Sequence, residues 1–254
     1  MASRECGVPI IGHRGCAQDA PENTLASVNL AWDQGADAVE IDVWLTRDGH
    51  VVAHHDETTK KTAGVDRRIV DQTLAELKSL DVGRWKNPKY AGERVPTLKE
   101  VLATIPDKRR LLIEVKCGAE AISAIARDLE EVGTSRRQVV VISFYPDVVR
   151  ESRRALPDVE AALVVEIRRD DTGGWSPPLE EIEREARKLG AQAVDLGYAP
   201  PLSKADVDLF HAAELKVYIW TANEPVRAAE LRAAGVDGLT TDRPGELRAE
   251  LCRV

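Results

Sequence analysis

A chain of 254 residues can bury a large core, and its length fits one α/β barrel as well as two small domains. A formal charge of −8 and a pI near 5.3 argue against a surface built to grip nucleic acid or an anionic membrane face. A small anionic substrate is not excluded, because it feels only the local field of its site. From the start of the chain, short apolar runs alternate with amphipathic segments rich in Ala, Leu, Glu and Arg. The runs are VPIIG (8–12), ADAVEIDVWL (36–45), LLIEVK (111–116), QVVVISF (138–144), EAALVVE (160–166), AQAVDLG (191–197), KVYIWTA (216–222) and DGLTTD (237–242). Helical patterns lie near 23–34, 97–105, 119–132, 147–156, 178–189, 203–213 and 225–234. Start signals stand at Pro21-Glu22-Asn23, at Thr97 with Glu100, and at Asp242 ahead of Pro244, and Gly133, Gly190 and Gly235 are placed as stops.

Eight strand candidates, most followed by a helix, predict a (β/α)8 TIM barrel spanning residues 1–254 as a single domain. The rival, a doubly wound sheet, lacks a Gly-rich nucleotide fingerprint after its first strand. Residues 46–96 break the alternation with a second short strand, HVVAHHD (50–56), and a polar stretch, and read as an insertion after the second strand. Cys6, Cys16, Cys117 and Cys252 have neither CxxC spacing nor a zinc-like grouping, so reduced thiols are expected. With no signal-like run and no stretch long enough to span a bilayer, the sequence reads as a cytoplasmic protein without an integral membrane segment.

Both faces of a barrel strand are buried, so charge inside one needs a reason. In the second strand Val39, Ile41, Val43 and Leu45 share one face, which leaves Glu40, Asp42 and Trp44 on the other. LLIEVK repeats the pattern: Leu111, Ile113 and Val115 face outward, while Leu112, Glu114 and Lys116 face in. Carboxylates from two neighbouring strands form a hard-oxygen ligand set suited to Mg²⁺ or Ca²⁺ rather than zinc. A solvated edge strand would explain one such segment easily, but two less well.

His13 follows VPIIG directly, at the carboxyl end of the first strand, where barrel active sites are built. Alone it would read as a hydrogen-bonded core histidine. Arg14 and Gly15 beside it add a guanidinium and room for close backbone approach, which together suit an anion. His55 closes another apolar run and is followed by Asp56. Two histidines can act as general acid and general base in phosphodiester cleavage. His54 is out of phase and is expected to be structural.

In this order and spacing, GHRG and APENT (12–24), VEIDVWLTRDGHVVAHHD (39–56), IEVK (113–116), IWTAN (219–223) and GLTTDRP (238–244) resemble the glycerophosphodiester phosphodiesterase family. The resemblance spans nearly the whole chain. It implies a (β/α)8 barrel with a small insertion after the second strand, and a small-molecule glycerophosphodiester substrate with no nucleic acid. It makes His13 and His55 the catalytic pair and Glu40, Asp42 and Glu114 the ligands of a divalent cation, Mg²⁺ or Ca²⁺. Arg14 and Lys116 would neutralise the phosphate, and Trp220 would line the glycerol or head-group pocket. The chain departs from many relatives at Lys60-Lys61-Thr62, where Arg-Thr-Thr is common, and at Tyr198, where a more polar sequence is often found. Pro21-Glu22-Asn23-Thr24 is expected to start and brace the first helix, and Asp242 to cap the last. The alternatives are a lysophospholipase D-like phosphodiesterase, which needs an apolar trough, and a non-catalytic barrel that retains the site.

Overall fold

The computed structural model describes residues 6–197 and 202–252, so Tyr198 lies outside the described residues. In chain order the strands are β1 (Ile10–Gly12), β2 (Ala38–Leu45), β3 (Val51–Ala53), β4 (Arg110–Val115), β5 (Val139–Ser143), β6 (Glu160–Glu166), β7 (Arg168–Arg169), β8 (Trp175–Ser176), β9 (Ala193–Gly197), β10 (Lys216–Trp220) and β11 (Gly238–Thr241). All but β3, β7 and β8 run parallel, in the order β1-β2-β4-β5-β6-β9-β10-β11. The ring closes where β11 meets β1, with Ile11 opposite Thr240 and Gly12 opposite Thr241. This is the (β/α)8 barrel that the alternation predicted.

The predicted phase holds. Val39, Ile41 and Val43 pack with Leu111, Ile113 and Val115 beneath the helices, alongside Ile122, Ile125 and Leu129 of the helix Ala121–Val132. Across the barrel, Val194, Leu196, Val217 and Ile219 meet Phe210 and Leu231 in the same way. Inward-facing Ile11, Leu112, Ile142, Val164, Ala193 and Tyr218 fill the barrel itself. The interior is therefore a packed plug, and any cavity must sit at one of its ends. At the amino-terminal end, Glu160 accepts hydrogen bonds from Arg110, Lys216 and Tyr218, so the charges there are matched.

The helices stop at Gly133, Gly190 and Gly235 in left-handed conformation, as expected. The last helix, Pro244–Leu251, packs against the start of the barrel. That packing makes neighbours of Cys6 and Cys252, which are joined as a disulfide with their Cα atoms 5.0 Å apart. The expectation of four reduced thiols therefore fails for this pair, because barrel closure brings together residues that spacing along the chain keeps far apart. Cys16 and Cys117 are free and buried, and burial pushes their thiols up to about 12 and about 11, which makes both poor nucleophiles.

The 46–96 segment begins with β3 folding back antiparallel onto β2, Val43 opposite Ala53 and Leu45 opposite Val51. Val52, Ile69, Leu77, Val82 and Val95 give it a small core of its own. It is tied to the loop after β1, since the Tyr90 hydroxyl donates to Asp19 O at 2.8 Å and Lys86 Nζ to Ala17 O at 2.8 Å. The segment thus braces that loop from the side. Among the described residues no helix is long and apolar enough to cross a membrane.

Candidate active site

The site grows from the carboxyl ends of β1, β2 and β4. One residue past β1, the His13 backbone N–H still donates to Thr241 O at 2.8 Å, so the ladder of the ring seam fixes the residue at the barrel mouth. Its Nδ1 lies 2.7 Å from Asp242 Oδ1. Asp242 is in turn clamped by Asn223, which donates to its carboxylate at 2.6 Å and accepts its backbone N–H at 2.9 Å. Burial works against ionisation of Asp242, yet the bonds from His13 and Asn223 hold its carboxyl below the ordinary range. The expected capping role is therefore wrong: Arg243 stands at the cap position, and the Asp242 side chain turns to the histidine. At the other helix the cap is Thr24, while Asn23 reaches across to donate to Asp42 at 2.8 Å.

Arg14 turns the chain with a φ of 51°, and its backbone N–H donates to Glu40 Oε2 at 2.8 Å. Gly15 follows with a φ of +88°, pressed onto the first helix so closely that a Cβ would lie 2.4 Å from Ser27 Oγ and 2.5 Å from Ser27 C. Only glycine fits there. Gly15→Ala is expected to cost about 2–5 kcal/mol, the sum of a left-handed backbone penalty and overpacking against main chain. Urea denaturation measures this, and an unchanged midpoint would show that the turn can relax.

Glu40, Asp42 and Glu114 come together as predicted, each offering an oxygen within 4.8 Å of the others. Glu40 and Asp42 are buried. Arg14 Nε stands 3.2 Å from Asp42 Oδ2, and Lys116 Nζ lies 2.7 Å from Glu114 Oε1 and 3.5 Å from Asp42 Oδ1. Three carboxylates thus face two cations. The imbalance falls mainly on Glu40, whose carboxyl is raised well above its usual range by burial and then by Asp42 and Glu114. Burial and Asp42 also raise Glu114. For Asp42 the burial penalty is outweighed by Arg14, His55, Lys116 and the Asn23 bond, and its carboxyl is lowered. Glu40 Oε1 is buried without a hydrogen-bond partner among the described residues.

His55 enters from the insertion. Its Nδ1 lies 2.7 Å from Asp56 Oδ1, and its carbonyl accepts from Trp44 Nε1 at 3.2 Å. Trp44, on the inward face of β2, therefore serves as a brace. His54 is held at both ring nitrogens, by Asp56 O at 2.8 Å and Thr62 Oγ1 at 3.0 Å, in agreement with a structural role. Lys61 pairs with Glu22, which also pairs with Arg14, and lies 5.2 Å from the Trp85 ring centre, whereas Lys60 pairs with the exposed Asp66.

His13, Arg14, Glu40, His55, Glu114 and Lys116 line a single cavity of about 190 Å³. Ile142, Phe144 and Trp220 form its apolar wall, with Trp220 meeting Phe144 edge-on at 5.7 Å. Asp195 and Thr240 complete the lining. The predicted site residues that line it are thus joined by Phe144, Asp195 and Thr240, which the sequence reading passed over, and are backed by Asp242 and Asn23, which it read as helix-start residues. Asp195 carried a usable signal, because it alternates with Val194 and Leu196 just as Glu40 does with its neighbours.

Residues 13–246 match the model of the glycerophosphoryl diester phosphodiesterase family. The glycerophosphodiester phosphodiesterase of Caldanaerobacter subterraneus subsp. tengcongensis is 33% identical over 94% of this chain and 95% of its own length. Among solved structures, an Oleispira antarctica phosphodiesterase in complex with the product sn-glycerol-3-phosphate is similar at a TM-score of 0.84, with 29% identity and 96% of each chain covered. The glycerophosphodiester phosphodiesterase of Thermotoga maritima follows at 0.74, with 27% identity over 96% of this chain and 98% of that one. With the same barrel, an acidic cluster in its mouth and a family match over most of its length, this chain belongs to the glycerophosphoryl diester phosphodiesterase family.

Proposed function

We propose that this phosphodiesterase hydrolyses small glycerophosphodiesters to sn-glycerol 3-phosphate and an alcohol, with His13 and His55 exchanging protons beside a divalent cation, Mg²⁺ or Ca²⁺. One observation carries the reading. Two imidazoles, each with Nδ1 on its own carboxylate, line the same cavity as the acidic cluster. An ionised carboxylate only accepts, so each neutral ring keeps its proton on Nδ1 and leaves Nε2 available for proton exchange.

The donor set suits a hard divalent ion. Glu40, Asp42 and Glu114 would hold it, and the unpartnered Glu40 Oε1 and the excess of carboxylates over cations both call for added positive charge. Bound there, the ion would supply Lewis-acid polarisation of the phosphate. The chain's own residues do the rest. Arg14 and Lys116 neutralise phosphate oxygens, and Trp220 packs against the glycerol. His55 takes the proton from the attacking hydroxyl as its oxygen bonds to phosphorus; where that hydroxyl is the glycerol's own, the product is a cyclic phosphate, which water then opens to sn-glycerol 3-phosphate in a second transfer. The bond from phosphorus to the alcohol oxygen breaks, and His13, entering the step as the imidazolium with both nitrogens protonated, gives that oxygen its Nε2 proton. Asp242 and Asp56 hold the two rings in place. Removing either carboxylate, by Asp242→Asn or Asp56→Asn, is expected to lower kcat by about 10–100-fold. If kcat stayed at the wild-type level, the ring in question would need no such support.

A cavity of about 190 Å³ falls below the roughly 300–1,000 Å³ of pockets for drug-sized ligands, which favours a small deacylated diester. Phe144 and Tyr145, exposed just past β5, would favour an acylated substrate. Release of the free head-group alcohol, assayed across glycerophosphodiesters and lysophospholipids, separates the readings, because it is the product common to both while only the deacylated diesters also yield sn-glycerol 3-phosphate. Turnover of the deacylated substrates is expected. Turnover of lysophospholipids alone would move the assignment to a lysophospholipase D, and no turnover of either would leave a non-catalytic barrel.

A further inference from the structure

Asp195 is a buried carboxyl that the proton-transfer scheme does not use. It points into the barrel from the middle of β9, opposite Tyr218 of β10, and is 2% exposed. Among the described residues it has no ion pair, and its Oδ1 has no hydrogen-bond partner. Every other carboxylate named inside the barrel has one: Glu40 on Arg14 N, Asp42 on Asn23, Glu114 on Lys116, Glu160 on Arg110. A buried carboxyl left without a partner is costly, and such groups concentrate where a ligand completes them. It opens on the cavity it helps to line.

The surroundings define what that ligand is. Thr240 of β11 lines the same cavity, and its Oγ1 is also buried without a partner. Between these two strands, β10 places the Trp220 ring against the cavity, with the indole N–H braced on Asp195 O at 3.3 Å. The ring is seated over Gly197, where a Cβ would lie 3.0 Å from it. Two hydrogen-bonding side chains flanking an aromatic face suit a short polyol, whose hydroxyls need partners and whose C–H groups pack on a ring.

Building on the function proposed above, we infer that the Asp195 carboxyl is a substrate-binding group that hydrogen-bonds the terminal glycerol hydroxyl, the one farthest from the phosphate, with Thr240 beside it. This group sets preference for the glycerol half of the diester and takes no part in proton transfer. A site built to bond a hydroxyl rejects an analogue lacking it far more strongly than an apolar pocket can, because the buried partner is then left bare.

The test compares two diesters with the same head group. One carries glycerol. The other carries 2-hydroxypropyl, which keeps the inner hydroxyl and lacks the terminal one. Wild-type enzyme is expected to favour the glycerol diester in kcat/KM by about 10²-fold or more. Asp195→Leu should bring the two within a few-fold of each other, through loss on the glycerol diester alone. Asp195→Asn keeps an acceptor and should keep most of the preference. Thermal melts check the variants, and Asp195→Leu is expected to melt no lower than wild type because it removes a buried unpartnered carboxyl. Should it not fold, Asp195→Ala takes its place. A preference that survives in a folded Asp195→Leu or Asp195→Ala enzyme overturns the inference alone, as does an equal loss on both substrates. Failure of the wild type to hydrolyse the glycerol diester overturns the functional reading, and this inference with it.

Discussion

His13→Ala and His55→Ala are each expected to lower kcat by about 10²–10⁴-fold while leaving the fold intact. Both rings border the cavity and neither belongs to the packed barrel interior, so truncation removes a proton carrier without opening a core void. The two losses should not multiply in the double variant. Once one transfer is lost, the other has little left to assist, and effects of groups that act as a unit are far from additive. Steady-state kinetics on a glycerophosphodiester measures all three variants. A single variant within a few-fold of wild type would remove that histidine from the mechanism. If a small amine or imidazole added to the His13→Ala enzyme restored rate, the deficit would be one of proton transfer and not of shape.

The second large effect is expected at the acidic cluster. Exhaustive chelation should abolish hydrolysis, and Mg²⁺ or Ca²⁺ should restore it. Full activity after chelation would end the metal assignment. The electrostatics allow a check that does not depend on turnover. In the chain alone Glu40 is raised by burial and by its acidic neighbours, so at neutral pH the cluster weakens the fold, and a bound cation should relieve this. An ion at 100 times its dissociation constant stabilises the folded state by about 2.7 kcal/mol. Wild-type protein should therefore melt higher with the ion than with chelator. Glu40→Gln should melt higher than wild type in chelator and gain less from the ion. A lower melting temperature for Glu40→Gln in chelator would mean that the carboxyl is better satisfied than its unpartnered oxygen implies.

The barrel was legible because its strands obey a period of two with both faces buried, and charge on the inner face stands out against that rule. Glu40, Asp42 and Glu114 could be found by phase alone, and the structure places them together. The insertion was visible as a break in the alternation, although its separate core around Ile69 and Leu77 was not. What escaped depended on closure of the ring. Asp242 has the local appearance of a cap ahead of Pro244, and only the meeting of β11 with β1 turns it toward His13, which is far away in sequence. The Cys6–Cys252 pair was hidden for the same reason. Asn23 looked like part of a helix start because its partner, Asp42, is on another strand. Asp195 was hidden by company rather than by distance, as a lone acid in an apolar strand with no second carboxylate beside it to mark the face.

The position of His13 has a consequence for how the enzyme comes into being. The imidazole lies at the end of the first barrel strand made, but the carboxylate that orients it follows the last. The acidic cluster draws on β2 and β4, both in the first half of the chain, whereas the mate of the first histidine comes from the far end. His55, which carries Asp56 next to it, has its partner at once. The His13–Asp242 pair therefore depends on closure of the ring, where β11 lies between β10 and β1. A chain stopped short of that closure would hold most of the active-site residues and still lack one of its two oriented rings.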